Sequence, residues 1–312
     1  NDNPLLKFLA LNALELTAPA SDVLLRSRPV GAHNKHTDWF QLSGHPDSLA
    51  PAGPGTVWKK CSGGAERDVY EALANEEVLA GVTPAYLREV HYRGQTFIEL
   101  QDLLHGFNEP SVMDVKMGTR TFLEEEVSNE VPRPDLYLKM VAVDPEAPTA
   151  REKRDQAVTK LRYMTFRERQ SSTCRLGFRI EAMKFRGSPP VTDMKRVKNL
   201  EEVMDTMALF LGSRDDVKQR LVARLNEIKS KLDHSPYFHS HEVIGSSILI
   251  VYDDSKVGAW LIDFAKTRPL PPGMTVNHRS PWTPGNHEEG FLLGLDNLIR
   301  VSVPSNFFLL IT

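Results

Sequence analysis

An Asp-x-Lys-x-Gly unit, formed by Asp114, Lys116 and Gly118, carries the clearest chemical signal in this sequence. On an extended segment, side chains two residues apart project to the same side. Asp114 would then accept a hydroxyl proton beside the fixed positive charge of Lys116. This pairing is suited to the transfer of a phosphoryl group to an alcohol.

Phosphoryl transfer also needs a cation that neutralises the donor phosphates. Lys59 lies in a short apolar run, 56–60, where an inward-facing ammonium would contact those phosphates. An exposed lysine on an edge strand is the alternative interpretation. Glu66, at the start of the next predicted helix, is the expected ion-pair partner of Lys59, and Glu71 is a rival for that role.

Magnesium bound with a nucleotide needs a carboxylate, and Asp263 is the candidate because it follows an apolar predicted strand. A turn residue that ends the strand is the alternative. Ser246 would add a hydroxyl ligand, although Ser246 and Ser247 are equally compatible with a turn. The sequence contains no P-loop motif, and no His-Arg-Asp catalytic loop, which argues against P-loop nucleotide hydrolases and protein kinases.

The charge of the chain is unevenly distributed. Residues 151–186 contain eleven Lys and Arg against four Asp and Glu, a local charge of +7 in a chain whose net charge is −3. A basic surface in an acidic protein favours an anionic ligand. Since the segment lacks an aromatic stacking platform, a zinc motif or a recognition helix, no nucleic acid is expected. A small, highly phosphorylated molecule fits better, and a solvated helix face with ion pairs is the alternative.

The elements that position these residues predict an α+β fold with two lobes. We expect a loosely ordered leader over 1–36, a first lobe of antiparallel sheet and one helix over 37–106, and a second lobe over 107–312. The predicted strands are 39–42, 56–60, 89–92, 96–100, 246–252 and 257–264. The predicted helices are 65–79, 199–211 and 215–232.

Composition limits where such a protein works. The 312 residues include 41% hydrophobic and 25% charged residues, enough for a full core. Two cysteines, Cys61 and Cys174, are too few for a disulfide framework, so a reducing compartment, the cytoplasm, is expected. A monomer is expected as well. The apolar stretch 5–16 is too short to span a bilayer, and it has no basic region before it, so neither a membrane span nor a signal peptide is predicted.

Six dispersed segments resemble the inositol polyphosphate kinases. Residues 110–126 are similar to the Pro-x-x-x-Asp-x-Lys-x-Gly signature of that family. Five further segments resemble its inositol 1,4,5-trisphosphate 3-kinase branch: 141–149, 157–164, 176–181, 241–247 and 293–299.

The resemblance implies a kinase-like two-lobed fold, related to protein kinases and ATP-grasp enzymes, that uses ATP and Mg²⁺ to phosphorylate the 3-hydroxyl of inositol 1,4,5-trisphosphate. Asp114 would orient or deprotonate that hydroxyl, and Lys116 would bridge the donor and acceptor phosphates. Lys59 would contact the ATP phosphates, and Asp263 with Ser246 would hold magnesium. The hinge that meets adenine would comprise Glu99, Leu100 and Asp102.

A helical insertion over about 120–185 would bind the inositol phosphate. The residues implied as its ligands are Lys160, Arg162, Tyr163, Arg167 and Lys184, with Arg120 as a further candidate. Calmodulin would bind, if at all, through sequence outside these residues. A multikinase of broader specificity and a non-catalytic inositol-phosphate-binding protein are the alternatives.

Three features depart from the family pattern, and the first is Leu161, which stands where proline usually follows Thr-Lys. Ala265 stands where glycine usually follows Asp-Phe, which places the metal site in question if the backbone there needs a positive φ. Residues 300–312 are not expected to continue the last helix.

Overall fold

The first sheet is antiparallel and has the strand order β1-β2-β4-β3. A computed structural model describes residues 48–61, 65–194 and 197–303, so the predicted leader 1–36 and strand 39–42 lie outside the described residues. The strands are β1 Leu49–Gly53, β2 Thr56–Lys60, β3 Tyr86–Tyr92 and β4 Gln95–Gln101.

One helix packs against this sheet. Helix α1, Ala65–Asn75, buries Val69, Tyr70 and Leu73 on one face. The predicted helix 65–79 is interrupted because Glu76 adopts an extended conformation, with φ −92° and ψ 101°, before a short 3₁₀ turn at Glu77–Leu79. The Glu76 carboxylate accepts hydrogen bonds from the Ser235 hydroxyl, which explains why the chain turns there.

The second sheet is also antiparallel and has the order β6-β5-β8-β9. Its strands are β5 Ser111–Met117, β6 Phe178–Lys184, β8 Ser247–Tyr252 and β9 Val257–Ile262. Strand β5 separates two environments. Met113, Val115 and Met117 lie in the main hydrophobic core, while Asp114 and Lys116 project to the other face.

Five short helices connect β5 to β6. They are α2 Glu124–Val127, α3 Pro134–Val143, α4 Ala150–Asp155, α5 Lys160–Arg169 and α6 Thr173–Leu176. They enclose a separate hydrophobic cluster that includes Phe122, Leu136, Met140 and Phe166. The insertion predicted over 120–185 is therefore helical as far as Leu176, and its last part is strand β6, which completes the sheet.

The remaining helices cover the core face of the second sheet. They are α7 Leu200–Leu211, α8 Asp215–Asp233, α9 Pro236–His239 and α10 Phe291–Ser302, and a small sheet pairs β7 His241–Ile244 with β10 Lys266–Pro269. Helices α7 and α8 confirm the predicted helices 199–211 and 215–232. The expectation that the last helix stops before residue 300 was wrong, because Leu298 and Ser302 are buried and extend the packed face. No helix in the described ranges is long and apolar enough to cross a membrane.

Candidate active site

Asp114 and Lys116 occupy the face of the second sheet that lies opposite the main core. Asp114 of β5 lies opposite Leu249 of β8, and Lys116 lies opposite Ser247 of the same strand. Asp114 is buried, at 3% exposure, whereas the Lys116 side chain is 27% exposed. The predicted alternation is therefore present, and it places a carboxylate and an ammonium side by side in a partly accessible cleft.

Lys59 joins two carboxylates from different parts of the chain. Its Nζ lies 2.6 Å from Glu66 Oε1 and 2.5 Å from Asp263 Oδ1. Glu66 Oε1 also accepts a hydrogen bond from the Phe264 amide at 3.0 Å. The contact between Lys59 and Glu66 is the expected one, since Glu71 is exposed on the opposite side of α1. Strand β2, helix α1 and the end of β9 thus converge on one ammonium.

Charge balance in this cluster is reflected in two pKa shifts. Desolvation would lower the pKa of Lys59, but the Asp263 carboxylate raises it well above its ordinary value. Desolvation would likewise raise the pKa of Asp263, but Lys59 lowers it, and the nearby Lys116 adds to that effect. Both groups are therefore charged at neutral pH, and Lys116 lies close enough to act on Asp263.

The backbone at Asp263 is unusual. Its φ is +66°, in the left-handed region that residues other than glycine rarely adopt. Ala265 is not among the described residues with a positive φ, so the replacement of glycine at that position imposes no such strain. Strained residues of this kind are typical of functional sites, where the surrounding structure holds them in place.

Ser246 and Ser247 add oxygen atoms to the same region. Both side chains are fully buried, and neither hydroxyl has a hydrogen-bond partner in the described part of the chain. Within the described residues there is also no cluster of three His, Cys, Asp or Glu that could hold a metal ion. One carboxylate with a free hydroxyl fits a cation such as Mg²⁺, which takes few protein ligands and completes its shell with phosphate and water.

Of the predicted hinge residues, Glu99 and Leu100 lie within β4 and Asp102 follows its end. The Glu99 carboxylate accepts hydrogen bonds from Thr56 at 3.0 Å and Arg88 at 2.8 Å, and the Arg88 bond lowers the pKa of Glu99. Leu100 is buried, and the Asp102 amide donates to the Gly55 carbonyl at 2.9 Å. The Glu99 side chain is therefore engaged within the first sheet.

An apolar patch beside the hinge was missed by the sequence reasoning. Leu249 and Trp260 are partly buried on the same sheet face as Asp114, and they pack with Leu104, Phe107 and Val112. The period-two alternation of β8 and β9 could have indicated it. A flat apolar surface of this kind can accept an aromatic base.

The predicted ligands on α5 divide into two groups. Lys160, Tyr163 and Arg167 are spaced three and four residues apart and share one helix face, with the Arg167 guanidinium 5.9 Å from the Tyr163 ring centre. Arg162 lies on a different face, where it donates to Glu152 at 2.9 Å and to the Ala147 carbonyl at 2.8 Å. The structure thus separates Arg162 from the other three.

Lys184 approaches the cleft from the sheet. It ends β6 opposite Val112, on the same face as Asp114. Lys184 on the sheet and Lys160 and Arg167 on α5 all belong to the basic segment 151–186.

Arg120 does not have the environment predicted for a phosphate ligand. It is 1% exposed, and its Nη2 lies 2.9 Å from Glu242 Oε2. Its other donors bind the carbonyl oxygens of Phe122, His287 and Glu288 at 2.8 to 3.1 Å. Arg120 therefore joins the end of β5 to distant segments and presents no donor to the cleft, which corrects the expected substrate contact.

Glu181 is a carboxylate of the cleft that the sequence reasoning did not select. Its Oε1 lies 3.7 Å from Lys116 Nζ and accepts hydrogen bonds from Arg179 Nε at 3.0 Å and Nη2 at 2.6 Å. Arg179 also donates to the Thr173 hydroxyl at 3.2 Å. The cleft therefore contains an alternating row of charges behind Lys116.

Known proteins match this chain over most of its length. The family model described as inositol polyphosphate kinase matches residues 97–302. An inositol-trisphosphate 3-kinase homolog of Caenorhabditis elegans is 47% identical over 298 residues, which cover 94% of this chain and 59% of that protein. Human inositol-trisphosphate 3-kinase A is 45% identical over 278 residues, which cover 87% of this chain and 60% of that protein. The chain thus spans about three fifths of the length of these relatives.

A solved structure shares the fold. The crystal structure of the inositol phosphate multikinase Ipk2 of S. cerevisiae, in complex with ADP and Mn²⁺, superimposes with a TM-score of 0.56 at 18% identity. The match covers 82% of this chain and 99% of the yeast chain. It confirms the predicted α+β kinase-like fold.

Proposed function

Because the chain belongs to the inositol polyphosphate kinase family, we propose that it transfers the γ-phosphoryl group of ATP to the 3-hydroxyl of inositol 1,4,5-trisphosphate. The product would be inositol 1,3,4,5-tetrakisphosphate. The names of the relatives at 45–47% identity support this substrate and position. A cytoplasmic monomer, and calmodulin contact through sequence outside residues 1–312, stay predictions.

The observation that carries the proposal is the convergence of two Asp/Lys pairs in one cleft. Lys59 is in contact with Asp263, and the charge of Lys116, the neighbour of Asp114, lowers the pKa of Asp263. Two positive and two negative groups, brought together from β2, β5 and the end of β9, provide the parts for phosphoryl transfer to an alcohol.

The donor half of the site fits ATP with magnesium. Asp263 and the unpaired Ser246 hydroxyl would hold the cation, which when bound supplies charge neutralisation on the transferred phosphoryl group. Lys59 would bind the phosphates. The patch around Leu249 and Trp260 would pack against adenine, while backbone groups of the hinge would supply hydrogen bonds.

The acceptor half would be formed by β5, β6 and α5. Asp114 would orient the hydroxyl and accept its proton, and Lys116 would stabilise negative charge between donor and acceptor. The acceptor phosphates would bind Lys160, Tyr163, Arg167 and Lys184. Arg162, held by Glu152, would support α5 from behind.

The test begins with the wild-type protein, ATP, Mg²⁺ and inositol 1,4,5-trisphosphate, followed by separation of the product isomers. We expect a single tetrakisphosphate phosphorylated at position 3. Asp114→Asn should bind both ligands with little change and lose turnover by about 10²- to 10⁴-fold, the usual contribution of a general base. Asp135→Asn is the matched control, because Asp135 forms an exposed ion pair with Arg133 on α3, away from the cleft.

Three results would contradict the proposal. Full turnover of the Asp114→Asn protein would remove the assigned role of that carboxylate. Product phosphorylated at other positions, or repeated phosphorylation of one acceptor, would instead indicate a multikinase. Binding of the acceptor with no turnover by the wild type would indicate a non-catalytic inositol-phosphate-binding protein.

A further inference from the structure

Glu181 lies at a β-bulge in β6, beside Lys116. Along the β5–β6 pair, Asp114 lies opposite Ala182, but the next residue, Val115, lies opposite Ile180. Glu181 is therefore the extra residue of the bulge. Phe178 and Ile180 face the apolar core, so period-two alternation places Arg179 and Glu181 together on the opposite face, which is that of Lys116.

The extra residue changes which side chains of β6 come next on the site face, because Ala182 and Lys184 lie opposite Asp114 and Val112. Bulges commonly re-aim side chains next to an active site. Glu181 itself contacts Lys116 and Arg179, both of which lie on the face of Asp114. Glu181 therefore adds a negative charge beside Lys116.

Glu181 is bound unequally by its two cationic neighbours. Arg179 makes two short hydrogen bonds to Oε1, at 2.6 and 3.0 Å, whereas Lys116 Nζ lies 3.7 Å away, beyond hydrogen-bonding distance. Burial would raise the pKa of Glu181, but Arg179 and then Lys116 lower it. The carboxylate is therefore ionised at neutral pH and attracts the ammonium without holding it in a hydrogen bond.

Lys116 is therefore attracted to a defined position but remains able to bind a new anion. A short hydrogen bond to Glu181 would have to be broken before Lys116 could bind phosphate. With no carboxylate at all, the Arg179 guanidinium, which lies directly opposite Lys116 in the β5–β6 pair, would repel the ammonium. At the observed distance of 3.7 Å, Glu181 offsets the repulsion from Arg179 without forming a hydrogen bond to Lys116.

We infer that Glu181, anchored by Arg179, is a positioning residue that holds the Lys116 ammonium ready for the transferred phosphoryl group. This inference rests on the proposed function for the role of Lys116, and it adds a residue that neither the family match nor the names of the relatives assign. Glu181 acts through Lys116, and Arg179 acts through Glu181.

The charge row predicts an unusual pattern among variants. Glu181→Gln leaves Arg179 and Lys116 as unscreened neighbours of like charge, so kcat should fall by about 10- to 100-fold, less than for loss of a direct transition-state contact. The KM for inositol trisphosphate should change by less than about threefold. Arg179→Met in the Glu181→Gln background removes the repulsion, so the double variant should recover at least about threefold of the lost kcat.

Asp296→Asn provides the matched control. Asp296 also binds two cations, Arg279 at 2.8 Å and Lys229 at 2.5 Å, and its side chain is 31% exposed against 25% for Glu181. It lies on α10, away from the cleft, and its replacement should leave kcat within about twofold of the wild type. Melting temperatures of all variants separate loss of fold from loss of position.

The experiment measures kcat and KM for the wild type, Glu181→Gln, Arg179→Met, the double variant and the Asp296→Asn control. Calorimetry on the same proteins measures the binding of ATP with Mg²⁺ in the absence of acceptor. Unchanged kcat in Glu181→Gln would overturn the inference. So would a double variant that is worse than Glu181→Gln, because a merely structural role predicts added damage. If the wild type fails to phosphorylate inositol trisphosphate, the proposed function fails. The measured affinity for ATP then tests the role of Glu181 by itself. The inference predicts weaker ATP binding in Glu181→Gln that recovers in the double variant, and equal binding in all of them refutes it.

Discussion

Replacement of Arg120 by methionine tests whether this arginine holds the fold together or binds substrate. The guanidinium is buried and paired with Glu242, whose side chain is only 7% exposed. Methionine keeps much of the side-chain volume but removes the charge and every donor. The variant would therefore leave the Glu242 carboxylate buried without its arginine partner, and the carbonyl oxygens of Phe122 and Glu288 without their arginine donor.

The expected loss can be estimated from this environment. Breaking a buried ion pair by removal of one partner costs about 3 to 5 kcal/mol. For a protein of this size, each kcal/mol lowers the melting temperature by about 2 to 4 °C, so Arg120→Met should melt about 10 °C below the wild type. Adding Glu242→Gln should restore about half of the loss, because the buried charge is then removed as well.

Urea unfolding and thermal melting, with steady-state kinetics on the same samples, provide the measurement. Arg133→Met is the control, since its ion pair with Asp135 is about half exposed on both sides and should contribute less than about 1 kcal/mol. A variant at Arg120 that melts within about 2 °C of the wild type but shows a raised KM for the acceptor would refute this reasoning. Arg120 would then be the phosphate ligand that its position in the sequence suggested.

Two other predictions concern the packing and the pH dependence of the fold. Gly294→Ala should lower the free energy of unfolding, measured in urea, by about 3 kcal/mol, because a Cβ at that position would lie 1.9 Å from the Gly177 carbonyl oxygen. Gly53→Ala is the control and should change the stability little, because the nearest atom to its Cβ would be 3.6 Å away. Burial alone would raise the pKa of Asp253, but hydrogen bonds from the amides of Asn108 and its hairpin neighbours lower it to about 2. The wild type should therefore exceed Asp253→Asn in stability by its largest amount above about pH 4, where the carboxyl is ionised in the unfolded chain too. This difference should shrink as the pH falls through about 2. A constant difference from pH 7 to pH 2 would contradict the prediction.

Periodicity was sufficient for the elements whose packing is local. In α8, the apolar residues recur at three- and four-residue steps, and all of them are buried where the pattern predicts. The alternation at Asp114 and Lys116 likewise predicted a common face correctly. The contact of Lys59 with Asp263 spans 204 positions and no local pattern contains it. The family resemblance was needed to bring those two residues together.

Three differences between the sequence expectations and the structure have different physical causes. The family resemblance grouped Arg162 with Lys160 and Arg167, although the 100° turn per residue places it on another face of α5. The burial of Arg120 depends on carbonyl groups more than 160 residues away, which the sequence could not indicate. Glu181 was not selected although alternation from Phe178 and Ile180 places it on the face of Lys116, because its pairing partner lies on another strand, 65 positions earlier in the chain.

The helices between β5 and β6 have their own hydrophobic cluster, and their two ends are already neighbours. Met117, the last residue of β5, pairs directly with Phe178, the first residue of β6. The sheet therefore closes this insertion regardless of its content, and doubling the length of a closed loop costs only about 0.6 kcal/mol in chain entropy. Since the main core lies on the other face of the sheet, this segment can be shortened, enlarged or exchanged between relatives without repacking that core. The helical segment is in this sense a removable module, attached to a sheet in which Asp114 and Lys116 keep their pairing with β8.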